Sequence, residues 1–184
     1  MGHLRLVSTA PAMPTPDSAC LSAFDRELDY LFATLRRLGA APHEVEDLAQ
    51  EVFVVLYRNW DTLDTDRPLR PYLFGIAFRI VHAQRRKRRV REVVSPDFQI
   101  NEDALDPEDS LQSKQAVELL LAALEAVPLA RRAVVIMHDL DETPIVDIAR
   151  HLSITRFGAY ARLRKGRREL AVAVRRLLRP GVST

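Results

Sequence analysis

An all-α fold of two small helical domains joined by a flexible linker, the second ending in a helix-turn-helix, is predicted by three observations. Apolar residues recur at three- and four-residue spacing through most of the chain, and no stretch of useful length alternates apolar with polar residues as a strand would. The helical stretches are also parted by a long acidic segment without periodicity. With 184 residues and 47% hydrophobic content, the chain can bury one core of ordinary size or two small ones.

Residues 1–20 hold Pro11, Pro14 and Pro16 among small and polar residues and read as a flexible tail. The first domain is placed at residues 21–91. Phe24, Leu28, Leu31, Phe32 and Leu35 line one face of its first helix, which Gly39 and Pro42 end. Pro42 opens the next helix, with Glu44 and Glu46 in the first turn, where carboxylates favour the helix dipole, and this helix runs to about Asn59. Val45, Leu48, Ala49, Val52 and Leu56 form its buried stripe. A polar loop, Asp61 to Pro71, precedes a third helix that starts near Pro71 or Tyr72, buries Leu73, Ile76, Ala77 and Ile80, and continues through Arg85, Arg86, Lys87, Arg88, Arg89 and Arg91.

Residues 92–113, with Glu92, Asp97, Glu102, Asp103, Asp106, Glu108 and Asp109, read as an acidic linker. The second domain spans 114–179, and 180–184 is a short tail. Val117, Leu120, Leu121 and Leu124 mark a helix that ends before Pro128, and Ala133, Val134, Met137 and Leu140 mark another. Thr143-Pro144 signals a capped helix start, followed by Ile145, Ile148, Ala149 and Leu152. Leu152-Ser153-Ile154 forms a tight turn, and Thr155 caps a last helix with Ala159, Leu163, Gly166 and Leu170 inward. This is helix-turn-helix spacing.

The net charge is only +2, but the charges are segregated into two basic zones with acid between them. Cys20 is the sole cysteine, and neither it nor His3, His43, His82, His138 and His151 shows metal-ligand spacing. No apolar run approaches the roughly 20 residues of a membrane span. The N-terminus lacks a signal core. These features predict a cytoplasmic protein with no membrane, metal or other cofactor. A Gly-rich phosphate loop and a nucleophile with a partner base are both missing, so an enzyme is not expected.

Three faces suggest partners. Asp47, Gln50, Glu51 and Val54 recur at i, i+3, i+4 and i+7 on the outward side of the second helix. They suit either simple solvation or docking on a basic helical partner. Tyr72, Phe74 and Phe78 interleave with Arg79, His82, Arg85 and Arg86; such aromatics are core residues or a stacking platform for single-stranded DNA beside a cationic track. Arg156, Tyr160, Ala161, Arg164 and Lys165 lie on the second helix of the helix-turn-helix, whose N-terminal half enters a major groove.

Three segments in this order resemble extracytoplasmic-function sigma factors over about residues 21–179. They are Asp47-Leu48-Ala49-Gln50-Glu51-Val52-Phe53, then Tyr72-Leu73-Phe74-Gly75-Ile76-Ala77 with the arginine run, then Asp147-Ile148-Ala149 through Arg162-Leu163-Arg164-Lys165-Gly166-Arg167. The resemblance implies a transcription initiation subunit whose partners are core RNA polymerase and promoter DNA. It implies that Asp47, Gln50, Glu51 and Phe53, with Val54 beside them, bind the clamp helices of the polymerase's largest subunit. The loop with Asp61, Arg67 and Arg70, and the helix with Tyr72, Phe78, Arg79, His82, Arg85 and Arg86, would then capture the minus-10 element. Arg156, Tyr160, Ala161, Arg164, Lys165 and Arg167 would bind the minus-35 element. An anti-sigma protein or other regulator is a further partner compatible with the resemblance. Departures from the family pattern are Tyr72 in place of tryptophan, Ile76-Ala77-Phe78-Arg79 in place of Ile-Ala-Arg-Asn, Ser153 in place of the turn's glycine, and Phe157-Gly158-Ala159 in place of Gly-Thr-Val. A conventional helix-turn-helix regulator is the alternative reading; it leaves the face around Asp47 and the first basic run without a role.

Overall fold

The computed structural model describes residues 18–64, 66–92 and 111–178, and every described element is helical. Four helices form the first group: α1 (Ser18–Arg26), α2 (Leu28–Leu38), α3 (Val45–Arg58) and α4 (Leu69–Glu92). The expected first helix is thus split at Glu27, whose N–H bonds to Phe24 O three residues back, while its carboxylate accepts from Arg70. Residues 18–20, placed in the tail by their composition, belong to α1, because Cys20 extends the apolar face of Ala23 and Phe24 and is wholly buried. The α3 stripe is buried as its spacing requires. At 11 and 14 residues, α2 and α3 are marginal as isolated helices, so packing holds them. Leu31, Leu35, Leu38, Val52, Leu56 and Leu73 are fully buried at their junction with α4, each contributing about 1.5–3 kcal/mol. α4 starts two residues before the expected Pro71 and buries Leu73, Phe74, Ile76, Ala77 and Val81, because helices cover it on more than one side, while Ile80 of the expected stripe is only half-buried.

The second group is α5 (Leu111–Glu125), α6 (Leu129–Val135), α7 (Ile145–His151) and α8 (Arg156–Leu177). Val117 is exposed rather than inward; α5 packs through Leu120, Ala123 and Leu124 instead. α6 runs into a π turn, Ile136–Leu140, where the Asp141 N–H bonds to Ile136 O. That widened turn shifts the helical phase and leaves Leu140 exposed, against its expected inward place. Thr143 does not cap α7: it is buried, its N–H bonds to Met137 O, and Pro144 occupies the cap position without a side-chain bond. Thr155 does cap α8, its hydroxyl accepting from the Gly158 N–H at 3.0 Å. Between α7 and α8, Ser153 takes the left-handed φ of +54° that the turn needs.

The two groups are in contact, α2 against α5 and α6, and α4 against α7, and one cluster of buried apolar residues runs through both. Arg132 of α6 is the central pin. Its side chain is buried and donates to Val127 O (3.1 Å), to Glu125 O (2.7 Å) and, across the seam, to Leu38 O (3.0 Å). Arg85 of α4 donates to Gly39 O (3.0 Å). The carbonyls that end α2 are therefore capped by two guanidinium groups, which also favours the negative end of the helix dipole. Gly39 adopts φ +89°, and a Cβ there would lie 2.0 Å from Arg85 Nη2 and 2.6 Å from Arg132 Nη1. Further along, the Tyr30 hydroxyl donates to Asp141 (2.7 Å), Arg79 donates to His151 O (3.3 Å), and a Cβ on Gly75 would come within 2.9 Å of His151 O.

Candidate nucleic-acid and polymerase interfaces

On α3 the helical phase that buries Leu48, Val52 and Leu56 leaves Asp47, Gln50 and Glu51 exposed, with Val54 half-buried beside them. Phe53 is half-buried, its ring 5.0 Å from Phe24 and 6.1 Å from Tyr57. Leu21, Phe24, Leu28, Phe32, Ala49 and Phe53 line a shallow groove of about 360 Å³ between α1, α2 and α3, with Gln50 and Glu46 at its edge. Glu46, Gln50 and Asp25 border the groove, and Asp47 and Glu51 stand further round the exposed side of α3. Such a surface can orient a basic helix by charge and hold it by apolar contact.

The residues assigned to minus-10 capture divide between open surface and seam. Asp61 is exposed in a short 3-10 turn, Trp60–Thr62. Arg67 pairs with Asp64 (2.8 Å), and Arg70 pairs with Glu27 (2.7 Å) while lying 5.0 Å from the centre of the Tyr30 ring. The Glu27 bond raises the pKa of Arg70 further above its usual value. Phe78 is half-buried with its ring 5.8 Å from His82, and His82 and Arg86 are exposed. Phe74, by contrast, is core. Arg79 and Arg85 are engaged across the seam, with His151 O and with the Glu125 carboxylate (3.4 Å), and Tyr72 lines a cavity of about 880 Å³ between the two groups, together with Arg67, Arg70, Pro144, Asp147, Arg150 and His151. Burial raises the Asp141 carboxyl in this cavity, and burial together with Asp141 raises the Tyr30 phenol. Burial, with Arg150 second, lowers the His151 imidazole. None of these seam contacts was visible in the sequence, because their partners are 40 or more positions apart.

On α8, Arg156, Tyr160, Ala161, Arg164 and Lys165 are all exposed, opposite the buried Ala159, Leu163 and Gly166. Arg167 is different: it pairs with Asp139 of the π turn and approaches His138 at 3.2 Å. The Arg167 bond holds the Asp139 carboxyl below its usual range. Phe157, which the sequence reading left out of the site, is 84% exposed on the same outward face. Its phase relative to Ala159 and Leu163 was the available signal. Of the acidic linker expected over residues 92–113, Glu92 ends α4 and residues 111–113 open α5, because both helices extend further than their apolar pattern, and residues 93–110 lie outside the described residues. Among the described residues no helix is long and apolar enough to cross a membrane, and no group of three or more His, Cys, Asp or Glu is gathered as a metal site.

A first helical group with an acidic outward face and a cationic aromatic helix, followed by a helix-turn-helix, defines a two-part transcription initiation subunit. Comparison with known families gives the same result: Sigma-70 region 2 matches residues 23–91 and Sigma-70, region 4 matches residues 117–170. The chain belongs to the sigma-70 family of RNA polymerase sigma factors, in its extracytoplasmic-function class. It is 26% identical over 159 residues to the ECF RNA polymerase sigma factor SigW of Bacillus subtilis (strain 168), covering 81% of this chain and 85% of that one. It is 25% identical over 169 residues to the ECF RNA polymerase sigma factor SigE of Mycolicibacterium smegmatis, covering 88% of this chain and 65% of the relative. The fold matches that of the sigma factor RpoE, solved in complex with the anti-sigma factor NepR from Bartonella quintana, with a TM-score of 0.70 at 20% identity over 86% of this chain and 98% of that one. CnrH, solved with the cytosolic domain of CnrY, matches at a TM-score of 0.63 and 18% identity, over 86% of this chain and 88% of that one. The chain is thus a regulatory subunit that directs RNA polymerase to promoters, and the reading as a stand-alone helix-turn-helix regulator is not favoured.

Proposed function

We propose that this sigma factor divides its work among three faces. Asp47, Gln50, Glu51, Phe53 and Val54 meet the polymerase clamp helices. Asp61, Arg67, Arg70, Tyr72, Phe78, Arg79, His82, Arg85 and Arg86 hold the melted minus-10 strand by stacking and phosphate contacts. Arg156, Tyr160, Ala161, Arg164 and Lys165 read the minus-35 element in the major groove, with Arg167 beside them. The two functional domains are those expected over about residues 21–91 and 114–179, extended to the ends of the helices that bound them, α1 to α4 and α5 to α8, with the acidic segment between them as the linker. The chain acts in the cytoplasm, where core polymerase resides, and performs no chemistry of its own. RpoE and CnrH were each solved with a protein partner named in their descriptions, and an anti-sigma protein or comparable regulator is proposed for this chain as well.

The observation that carries this reading is the capped α8, whose exposed Arg156, Tyr160, Arg164 and Lys165 stand opposite a buried apolar face. Because Arg79 and Arg85 are engaged across the seam by His151 O and Glu125, and Tyr72 lines the cavity there, full use of the minus-10 face requires the two groups to part. Core polymerase supplies the difference in affinity between closed and parted forms. The test is in vitro transcription with core enzyme on a genomic fragment library. The wild-type protein should yield discrete start sites, and Arg164→Ala with Lys165→Ala should abolish them while core binding persists. Start sites unchanged by both substitutions would remove α8 from promoter reading.

A further inference from the structure

Phe157 is the most exposed large apolar side chain described in the molecule, at 84%, and it sits in the first turn of α8. Single exposed apolar residues are common on protein surfaces and by themselves mean little. Here the position decides. At about 100° per residue, Ala159, Leu163 and Gly166 share the buried side of α8. Phe157, Ala161, Arg164 and Arg168 follow one another at i, i+4, i+7 and i+11 on the opposite side, and all four are exposed. Tyr160 flanks the row and is 60% exposed. Along this row the outward face therefore changes character, from apolar in its first half (Phe157, Ala161, with Tyr160 beside them) to cationic beyond it (Arg164, Lys165, Arg168), while the exposed Arg156 stands to one side of the row at the start of the helix.

A recognition helix inserts its N-terminal half toward base edges and leaves later residues to phosphates. An aromatic ring and a methyl at that end have no hydrogen bonds to offer a base. The feature of a major groove that rewards them is the C5-methyl group of thymine, the one apolar protrusion among the four base edges. Guanine, with two acceptors, calls for the arginine further along. Phe157 and Arg164 are about 10 Å apart along the axis, or about three base-pair steps, so both can act on one element.

We propose that Phe157, supported by Ala161, is a specificity-determining residue that reads a thymine methyl in the upstream promoter element, at the end of that element met by the start of α8. This rests on the reading of α8 as the promoter-reading helix and adds to it the identity of one base and the atom that identifies it. A protein partner seated on the same aromatic end would serve equally to cover it; the cationic residues that continue the row favour DNA.

The experiment uses holoenzyme made from core polymerase and the full-length chain. Its probe is a duplex library randomised over the upstream element, from which bound sequences are selected. Each thymine of the selected sequence is then replaced in turn by deoxyuridine, which removes the methyl and leaves every hydrogen-bonding group in place. Wild-type holoenzyme should lose about fourfold in affinity at one position, the size expected for one buried methyl. Phe157→Ala should bind the thymine and deoxyuridine forms of that position equally and keep the other base preferences. Since the side chain is almost fully exposed, the variant should retain the wild-type circular dichroism. If the selected sequence still depends on Arg164 but no deoxyuridine substitution weakens binding, or Phe157→Ala keeps the same penalty, the assignment of Phe157 is overturned and α8 stands. If Phe157→Ala, Arg164→Ala and Lys165→Ala all leave the selected sequence unchanged, α8 does not read promoters, and the inference falls with it.

Discussion

Replacing Arg132 by methionine removes three hydrogen bonds at once while keeping most of the side-chain volume. The guanidinium donates to Val127 O, Glu125 O and Leu38 O at 2.7–3.1 Å from a side chain that is 1% exposed. A hydrogen bond from a charged donor contributes about 1.5–3 kcal/mol, and a buried carbonyl left without a partner costs a comparable amount. Against this stands the cost of burying the charge, which appears in the lowering of the Arg132 pKa to about 10, by burial first and by Arg85 second. The net loss expected is about 3 kcal/mol. For a chain of this size that lowers Tm by about 6–12 °C. Thermal unfolding followed by circular dichroism at 222 nm reads this directly. Arg132→Lys, a point charge that cannot reach three carbonyls together, should fall between wild type and methionine. Since the pKa remains far above neutrality, the group is charged in both folded and unfolded chains, and the difference should not change between about pH 6 and 8. A Tm within about 2 °C of wild type in Arg132→Met would refute the view that this residue pins the two helical groups.

Three further outcomes are expected. Gly39→Ala should destabilise by about 2 kcal/mol in the same assay, because φ +89° is costly for an L-residue and the new methyl meets Arg85 and Arg132; an unchanged Tm would count against that conflict. The His151 pKa is lowered by burial and by Arg150, with Arg79 and Arg67 adding and Asp147 opposing. Its stabilising contribution is therefore complete above the unfolded value of 6.5 and is lost as pH falls through the lower folded value. A melting series should show wild type losing stability relative to His151→Gln over that window, and parallel curves would exclude the histidine. Reversing charge at Asp47 and Glu51, both exposed on α3, should weaken binding to core polymerase with the helical circular dichroism unaltered; undiminished affinity would take that face out of the account.

Much of the fold could be read locally. The stripe from Val45 to Leu56, the Thr155 cap and the inward Ala159 and Leu163 follow from helical phase and cap chemistry, which act within a few residues. The errors have local causes too. Glu27 and the π turn at Ile136–Leu140 alter phase by backbone hydrogen bonds that no side-chain pattern announces. Thr143 looked like a cap and is instead buried, its amide bonded to Met137. The seam was illegible for a different reason. Arg132 reads in sequence as one more surface cation beside Arg131, and only the approach of α6 to the end of α2 makes it a buried donor. The outward face of α8 was legible except at Phe157, since an aromatic in a helical stretch reads as core until its phase is checked.

The chemistry of the seam also sets how ionic strength acts on the protein. Arg132 and Arg79 cross it to reach backbone carbonyls, while Arg85 and Arg37 cross it to reach the carboxylates of Glu125 and Asp141. A cation held to a carbonyl dipole at contact distance and partly shielded from water is little affected by a Debye length of about 8–10 Å. Binding of the same chain to a polyanion is the opposite case, because each phosphate contact releases counterions and weakens steeply as salt is added. Added salt therefore weakens phosphate binding more steeply than it weakens the seam, whose ion pairs it screens but whose buried carbonyl contacts it leaves in place. Salt is thus expected to act as a brake on DNA binding by the isolated chain while leaving its folding almost unchanged.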